Sequence, residues 1–216
     1  MTHSSPNHGE RRDDARPSLI VIHYTGMADA ASARARLCDP AAEVSAHWLI
    51  HDDGTPEALV PEDRRAWHAG AGAWRGRDDV NSRSIGIEIA NPGNRPFAAA
   101  QMTTLELLLA RIMARWSIGP EAVIGHSDMA PGRKIDPGAR FDWARLARQG
   151  LAIHPAAPGE DRPLADSLTA IGYPEADPGT RLAAFRLRFR PGATGPEGEA
   201  DRRLADAAAT AFGRFY

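Results

Sequence analysis

Apolar and polar positions alternate along the chain in patterns that predict most of its elements. Leu19-Ile-Val-Ile-His23 is a short, β-branched and nearly unbroken apolar run, as in a strand covered on both faces. Ala46-His-Trp-Leu-Ile-His51 is a second run. It closes at Asp52-Asp53-Gly54-Thr55-Pro56, where Asp-Gly predicts a hairpin into Ala58-Leu59-Val60. Ser84-Ile-Gly-Ile-Glu-Ile-Ala90 alternates strictly, so Ile85, Ile87 and Ile89 share one face while Gly86 and Glu88 share the other. From Thr103 to Trp116 the residues Leu105, Leu108, Leu109, Ile112, Met113 and Trp116 recur at helical spacing. A capping box of Thr103 and Glu106 precedes them and Gly119-Pro120 stops them. Val123-Ile-Gly-His126 reads as a short strand and Asp142 to Arg148 as a short helix ended by Gly150.

Strands alternating with helices to about residue 150 predict an α/β fold, a mixed central β-sheet flanked by helices. The texture then changes. Pro155-Ala-Ala-Pro-Gly159 is linker-like, and beyond it Leu164 to Ile171, Arg181 to Phe189 and Asp201 to Phe215 read as a small C-terminal three-helix unit. Residues 1–18 form a polar, Pro-containing arm without the apolar segment of a secretory leader, and no run approaches the ~18 apolar residues of a membrane span. A cytoplasmic setting is the expectation.

Composition narrows the chemistry. Of 216 residues, 43% are hydrophobic and 25% charged, which is globular usage; 26 basic against 28 acidic side chains leave a net charge of −2, no basis for binding nucleic acid or an anionic membrane. Cys38, in an Ala/Arg-rich helical stretch, is the single cysteine, so disulfides and zinc sites built on several thiolates are excluded. A metal would have to be held by His and carboxylate. All basic residues except Lys134 are Arg.

Three residues fit such a site. His23 and His126 end predicted strands, where open sheets place functional groups, and Asp136 follows ten residues after His126. Two imidazoles and a carboxylate suit a catalytic zinc ion with a fourth position left open. On residue chemistry alone, structural histidines account for the imidazoles equally well, and a solvated strand carboxylate is the preferred reading of Glu88.

Five segments in order, spanning roughly residues 5 to 150, add specificity. They are Ser5-Pro-Asn with Leu19-Ile-Val-Ile-His-Tyr-Thr-Gly-Met27; Val44-Ser-Ala-His-Trp-Leu-Ile50 with Asp53-Gly54; Arg65-Ala-Trp-His-Ala-Gly70; Asn81-Ser-Arg-Ser-Ile-Gly-Ile-Glu-Ile-Ala-Asn91; and Gly125-His-Ser-Asp128 with Pro131-Gly-Arg-Lys-Ile-Asp-Pro-Gly138. Together they resemble the zinc-dependent N-acetylmuramoyl-L-alanine amidases of the type-2 amidase family, relatives of peptidoglycan recognition proteins and T7-type lysozyme. The tail resembles the helical, peptidoglycan-binding-like unit of one branch. The resemblance implies a catalytic domain over 1–154 and a binding-like domain over 155–216. It implies one zinc ion on His23, His126 and Asp136, with Glu88 as acid/base and Lys134 stabilising the oxyanion. Some relatives carry a catalytic Tyr and a Cys ligand where this chain has Ala46 and Asp136, so the carboxylate-ligand branch is the one it resembles. The implied reaction cleaves the amide between N-acetylmuramic acid and L-alanine of the stem peptide; the cytoplasmic expectation points to 1,6-anhydro muropeptides in recycling, with lysis of intact sacculi and non-catalytic peptidoglycan recognition as the alternatives.

Around that centre, Trp67, His68, His47, Asn81 and Asn91 are expected to contact the muropeptide, with Trp74 and Arg83 as further candidates. Gly86 is expected to leave room for substrate beside Glu88. His3, His8 and His154 are expected at solvated positions, and Arg186, Arg188 and Arg190 on a solvated face.

Overall fold

A computed structural model describes residues 5–214. In chain order the elements are β1 (His8–Gly9), β2 (Leu19–Tyr24), α1 (Ala30–Cys38), β3 (Trp48–Ile50), β4 (Pro56–Ala58), β5 (Arg65–Ala66), α2 (Val80–Arg83), β6 (Ser84–Ile89), α3 (Ala99–Trp116), β7 (Val123–Gly125), α4 (His126–Met129), α5 (Trp143–Arg148), α6 (Leu164–Ile171), α7 (Pro178–Phe189) and α8 (Glu199–Gly213). The main sheet has the order β4-β3-β6-β2-β7; β2, β3, β6 and β7 run parallel and β4 is an antiparallel edge. This is the mixed, helix-flanked sheet that the sequence predicts. Phe215 and His3 lie outside the described residues. No helix among the described residues is long and apolar enough to cross a membrane.

The hairpin closes as the Asp-Gly turn predicts: Trp48 pairs with Ala58 and Ile50 with Pro56. Gly54 takes φ +89° there, and a Cβ would run into the backbone of Ala100, so the turn needs glycine twice over. The Ile85, Ile87 and Ile89 row is fully buried, in one core with Leu105, Leu109 and Ile112 of α3. Burying each of these side chains contributes about 1.5–3 kcal/mol.

Helix α3 starts four residues before the predicted cap. The Gln101 carboxamide accepts from the Ala98 amide and donates to the Ala90 carbonyl, so the cap is built by a contact to the end of β6. Thr103 and Glu106 instead receive the Arg145 guanidinium, tying α5 to α3. A local motif was available, but two tertiary contacts won over it.

The polar N-terminal segment is part of the domain. The Ser5 hydroxyl donates to the Leu37 carbonyl at 2.6 Å, and the Asn7 carboxamide donates to the carbonyls of Asp39 and Val44. Half-buried His8 pairs with Ala66, and the Arg11 guanidinium donates to the carbonyls of Glu62, Ser82 and Ser84. Burial lowers the Arg11 pKa to about 10, offset in part by Asp63 and Glu62.

The C-terminal helices share the main core: Trp74 meets Tyr173 and Phe212 edge to face, with ring centroids 5.6 and 6.2 Å apart. Trp74, a candidate for sugar stacking, is thereby interior. The arginines expected on a solvated face are engaged too. Arg188 is 2% exposed and bonds Asp128, while Arg186 and Arg190 both bond Asp201. Half-buried His154 lies over the Phe189 ring with centroids 5.7 Å apart.

Candidate active site

The parallel pairing of β2 and β6 places His23 directly beside Glu88. Residues in register project to the same side of a sheet, so the alternation that buries the Ile row of β6 turns Glu88 toward the His23 imidazole. Strand β7, on the other side of β2, ends at Gly125, and His126 is the first residue of α4. The loop after α4 returns Asp136 to the same point, held by the Ser127 amide, which donates to the Asp136 carbonyl at 2.9 Å. Three strand ends and one loop therefore converge.

His23 Nδ1, His126 Nδ1 and Asp136 Oδ2 lie 2.8 to 3.0 Å from one another. Their hydrogen bonds assign the tautomers. The Ser84 hydroxyl donates to the Val80 carbonyl and thus accepts from His68 Nε2 at 3.1 Å. His68 Nδ1 is then an acceptor and takes the proton of His23 Nε2 at 3.0 Å. His126 Nε2 donates to the Ala69 carbonyl at 2.8 Å. Both Nδ1 atoms are left with bare lone pairs, facing each other and a carboxylate oxygen. Three converging donor atoms without a proton between them repel unless a cation joins them. Neutral imidazoles oriented by second hydrogen bonds are the usual metal-ligand arrangement. The three residues can hold a metal ion. The donor set fits zinc with one position open.

Electrostatics agree with that role. Burial, reinforced by His126, lowers the His23 pKa to about 4, so the ring is neutral at pH 7. Burial pushes the Asp136 carboxyl up, but the His126 and His23 rings against it outweigh burial and hold it below its ordinary range. Burial and the neighbouring Asp136 raise the Glu88 pKa to about 8, against the opposing charge of Lys134. Glu88 Oε2 is buried without a hydrogen-bond partner.

These groups open into a groove of about 530 Å³, lined also by His68, Lys134, Arg133, Trp67 and Ile135. Of the residues expected to contact substrate, Trp67 and His68 line it. The other three brace it from behind. His47 is fully buried; its Nδ1 accepts from the Gly86 amide and its Nε2 donates to the Arg64 carbonyl, and burial lowers its pKa to about 3. Asn81 Oδ1 accepts from the amides of His68 and Ala69, fixing the loop whose carbonyl holds His126. Asn91 binds the carbonyls of Arg95 and Pro96 and the Gly93 amide. Arg83 is likewise interior, donating to the carbonyls of Trp74 and Arg77. The space that Gly86 leaves is filled by the His68 ring, which a Cβ would strike.

Sequence reasoning passed over Ser84, which sets the tautomer chain, and Arg133, whose Nη2 donates to the Ala69 carbonyl at 2.6 Å beside His126. It also passed over Tyr24 and exposed Ile135 on the groove wall. None carries a local pattern. Arg133 lies between His126 and Asp136 in sequence, and no local pattern separates it from the other arginines of the chain.

The comparisons with known proteins agree with this geometry. Residues 13–139 match the family model described as N-acetylmuramoyl-L-alanine amidase. The chain is 36% identical to the N-acetylmuramoyl-L-alanine amidase AmiD of Escherichia coli over 92% of its own length and 84% of the relative's. It is 36% identical to the 1,6-anhydro-N-acetylmuramyl-L-alanine amidase AmpD of Enterobacter cloacae, over 66% of this chain and 85% of that one. Among solved structures, E. coli AmiD with the substrate anhydro-N-acetylmuramic acid-L-Ala-D-γ-Glu-L-Lys superposes with a TM-score of 0.83 at 33% identity, covering 94% of this chain and 92% of that one. With the family model spanning more than half of its residues, the chain belongs to the N-acetylmuramoyl-L-alanine amidase family.

Proposed function

We propose that this chain hydrolyses the amide between 1,6-anhydro-N-acetylmuramic acid and L-alanine of soluble muropeptides, using one zinc ion on His23, His126 and Asp136. The observation that carries the reading is the convergence of two bare Nδ1 lone pairs and a carboxylate oxygen beside Glu88, whose Oε2 has no hydrogen-bond partner. When bound, zinc would supply Lewis acidity toward the scissile carbonyl and toward water.

The chain's own groups do the rest. The ionised form of Glu88 takes a proton from the attacking water on one carboxylate oxygen and returns it to the departing amide nitrogen. Lys134, on the same groove wall, places an ammonium where negative charge grows on the carbonyl oxygen. Trp67 and Ile135 offer apolar surface to the sugar and stem peptide. His68 holds the proton of His23 Nε2 in place and thereby keeps Nδ1 available.

The test is release of stem peptide from soluble anhydro-muropeptide and from intact sacculi, with zinc content measured on the same protein. The cytoplasmic recycling role expected from the sequence predicts stoichiometric zinc and faster turnover of the soluble substrate. Activity confined to sacculi would replace recycling by wall lysis. Zinc binding without turnover of either would leave a peptidoglycan-recognition module.

A further inference from the structure

Helix α4 is four residues long, too short to hold its shape unaided, yet it begins with His126 and its Ser127 amide holds the Asp136 carbonyl. A shift of α4 would move two of the three converging donors relative to His23, which is fixed on β2. What anchors α4 comes largely from the C-terminal helices. Asp128 is fully buried two residues beyond His126. Its Oδ2 accepts from the Gly125 amide at 2.8 Å and from Arg188 Nη1 at 2.7 Å, and its Oδ1 accepts from the Tyr173 hydroxyl at 2.7 Å. The Arg188 guanidinium lies 4.0 Å over the Trp143 ring and donates through Nη2 to the carbonyls of Ile153 and Val123.

We propose that Tyr173 and Arg188 are positioning residues for the metal site, holding His126 and Asp136 in register with His23 through the Asp128 carboxylate. A buried ion pair adds little net stability over an apolar pair of the same volume, but it is directional. The apolar contacts of Trp74, Tyr173 and Phe212 already join the helices to the core. The Asp128 contacts add an orientation for α4 that apolar packing does not set. On this view the C-terminal helices contribute to the reaction whether or not they touch glycan.

The inference rests on the reading of His23, His126 and Asp136 as the metal-holding set, and one experiment separates the two. The full chain is stripped of metal and titrated with zinc against a fluorescent chelator, as wild type, Tyr173→Phe, Arg188→Met and Leu164→Ala, with melting followed in parallel. Leu164→Ala truncates a buried side chain of α6 and leaves the groups that bond Asp128 chemically intact. Expected are a roughly tenfold loss of zinc affinity in Tyr173→Phe and up to about 100-fold in Arg188→Met. Leu164→Ala should melt earlier with zinc affinity unchanged. Tyr173→Phe, nearly isosteric, decides the matter even where Arg188→Met does not fold. Unchanged zinc affinity in Tyr173→Phe, or an equal loss in Leu164→Ala, would overturn the positioning role alone. A wild-type chain that binds no zinc would overturn the metal reading and the positioning role with it.

Discussion

Two carboxylates withdrawn from solvent, Glu88 and Asp201, occupy opposite electrostatic situations. Asp201, in the C-terminal helices, is 0% exposed and accepts from Arg186 Nε and Nη2, Arg190 Nη1 and the Gly198 amide. Burial pushes its pKa up, but Arg186, the Gly198 amide and Arg190 more than reverse this and leave it at about 2, below its ordinary 3.8. Glu88 faces the groove with one oxygen unpartnered, and burial together with Asp136 lifts it to about 8 from an ordinary 4.5. One carboxylate is saturated with donors and ties helices together. The other is left wanting a proton or a cation, at a cost in stability, beside two imidazole nitrogens in the same condition. What sets Glu88 apart is the combination of an unpartnered oxygen, a raised pKa and bare imidazole nitrogens in one groove.

The largest effect that tests this contrast is on turnover. Glu88→Gln should lower kcat by about 100- to 10,000-fold with zinc content unchanged, measured as stem-peptide release alongside elemental analysis. A fully active Glu88→Gln would end the acid/base assignment. Asp201→Ala should do the reverse. Stranding two guanidiniums should cost about 3 kcal/mol in denaturant unfolding while activity per folded molecule stays near wild type. Lys134→Arg should reduce turnover about tenfold with little change in melting, because a forked guanidinium does not replace a compact ammonium at a fixed distance from the reacting oxygen. An unaltered kcat would remove Lys134 from the mechanism.

The smallest effects concern pH and stability, and their signs oppose. In metal-free protein the raised pKa of Glu88 means that the folded state keeps a proton that the unfolded state releases between about pH 4.5 and 8. Its contribution to stability therefore falls as pH rises through that window. Glu88→Gln should remove this slope and stabilise the metal-free chain by about 1–2 kcal/mol near pH 8. The lowered pKa of Asp201 contributes stability that is present above about pH 4 and is lost as pH falls toward 2, so the gap between wild type and Asp201→Asn should close over that range. Unfolding free energies of the metal-free variants across pH 2 to 8 would show both slopes; equal slopes in wild type and variant would refute the corresponding assignment.

Much of this was legible beforehand. The Ile row of β6, the Asp-Gly hairpin and the three C-terminal helices follow from spacing, because burial of one face imposes a period that neighbours in sequence must obey. That His23, Glu88, His126 and Asp136 meet in one groove was also foreseeable, since each lies near a strand or loop end within a recognisable segment. His47, Asn81 and Asn91 were expected at the substrate and instead stand behind the groove wall, because a polar side chain serves equally well to satisfy buried backbone amides and carbonyls. Arg186 and Arg188 carry the composition of a solvated face and are pinned by Asp201 and Asp128.

By itself, the sequence determined the periodic elements, the thiolate-free donor set and the position of a carboxylate on the face opposite the Ile row, since these depend on local spacing and side-chain chemistry. The tertiary structure alone decided which nitrogen of each histidine is bare, that His68 and Ser84 set that choice for His23 and the Ala69 carbonyl for His126, and that Tyr173 and Arg188 reach across 45 and 60 residues to Asp128. A hydrogen bond depends on ångström-scale placement of groups from distant segments, and no pattern along one segment records where the others come to rest.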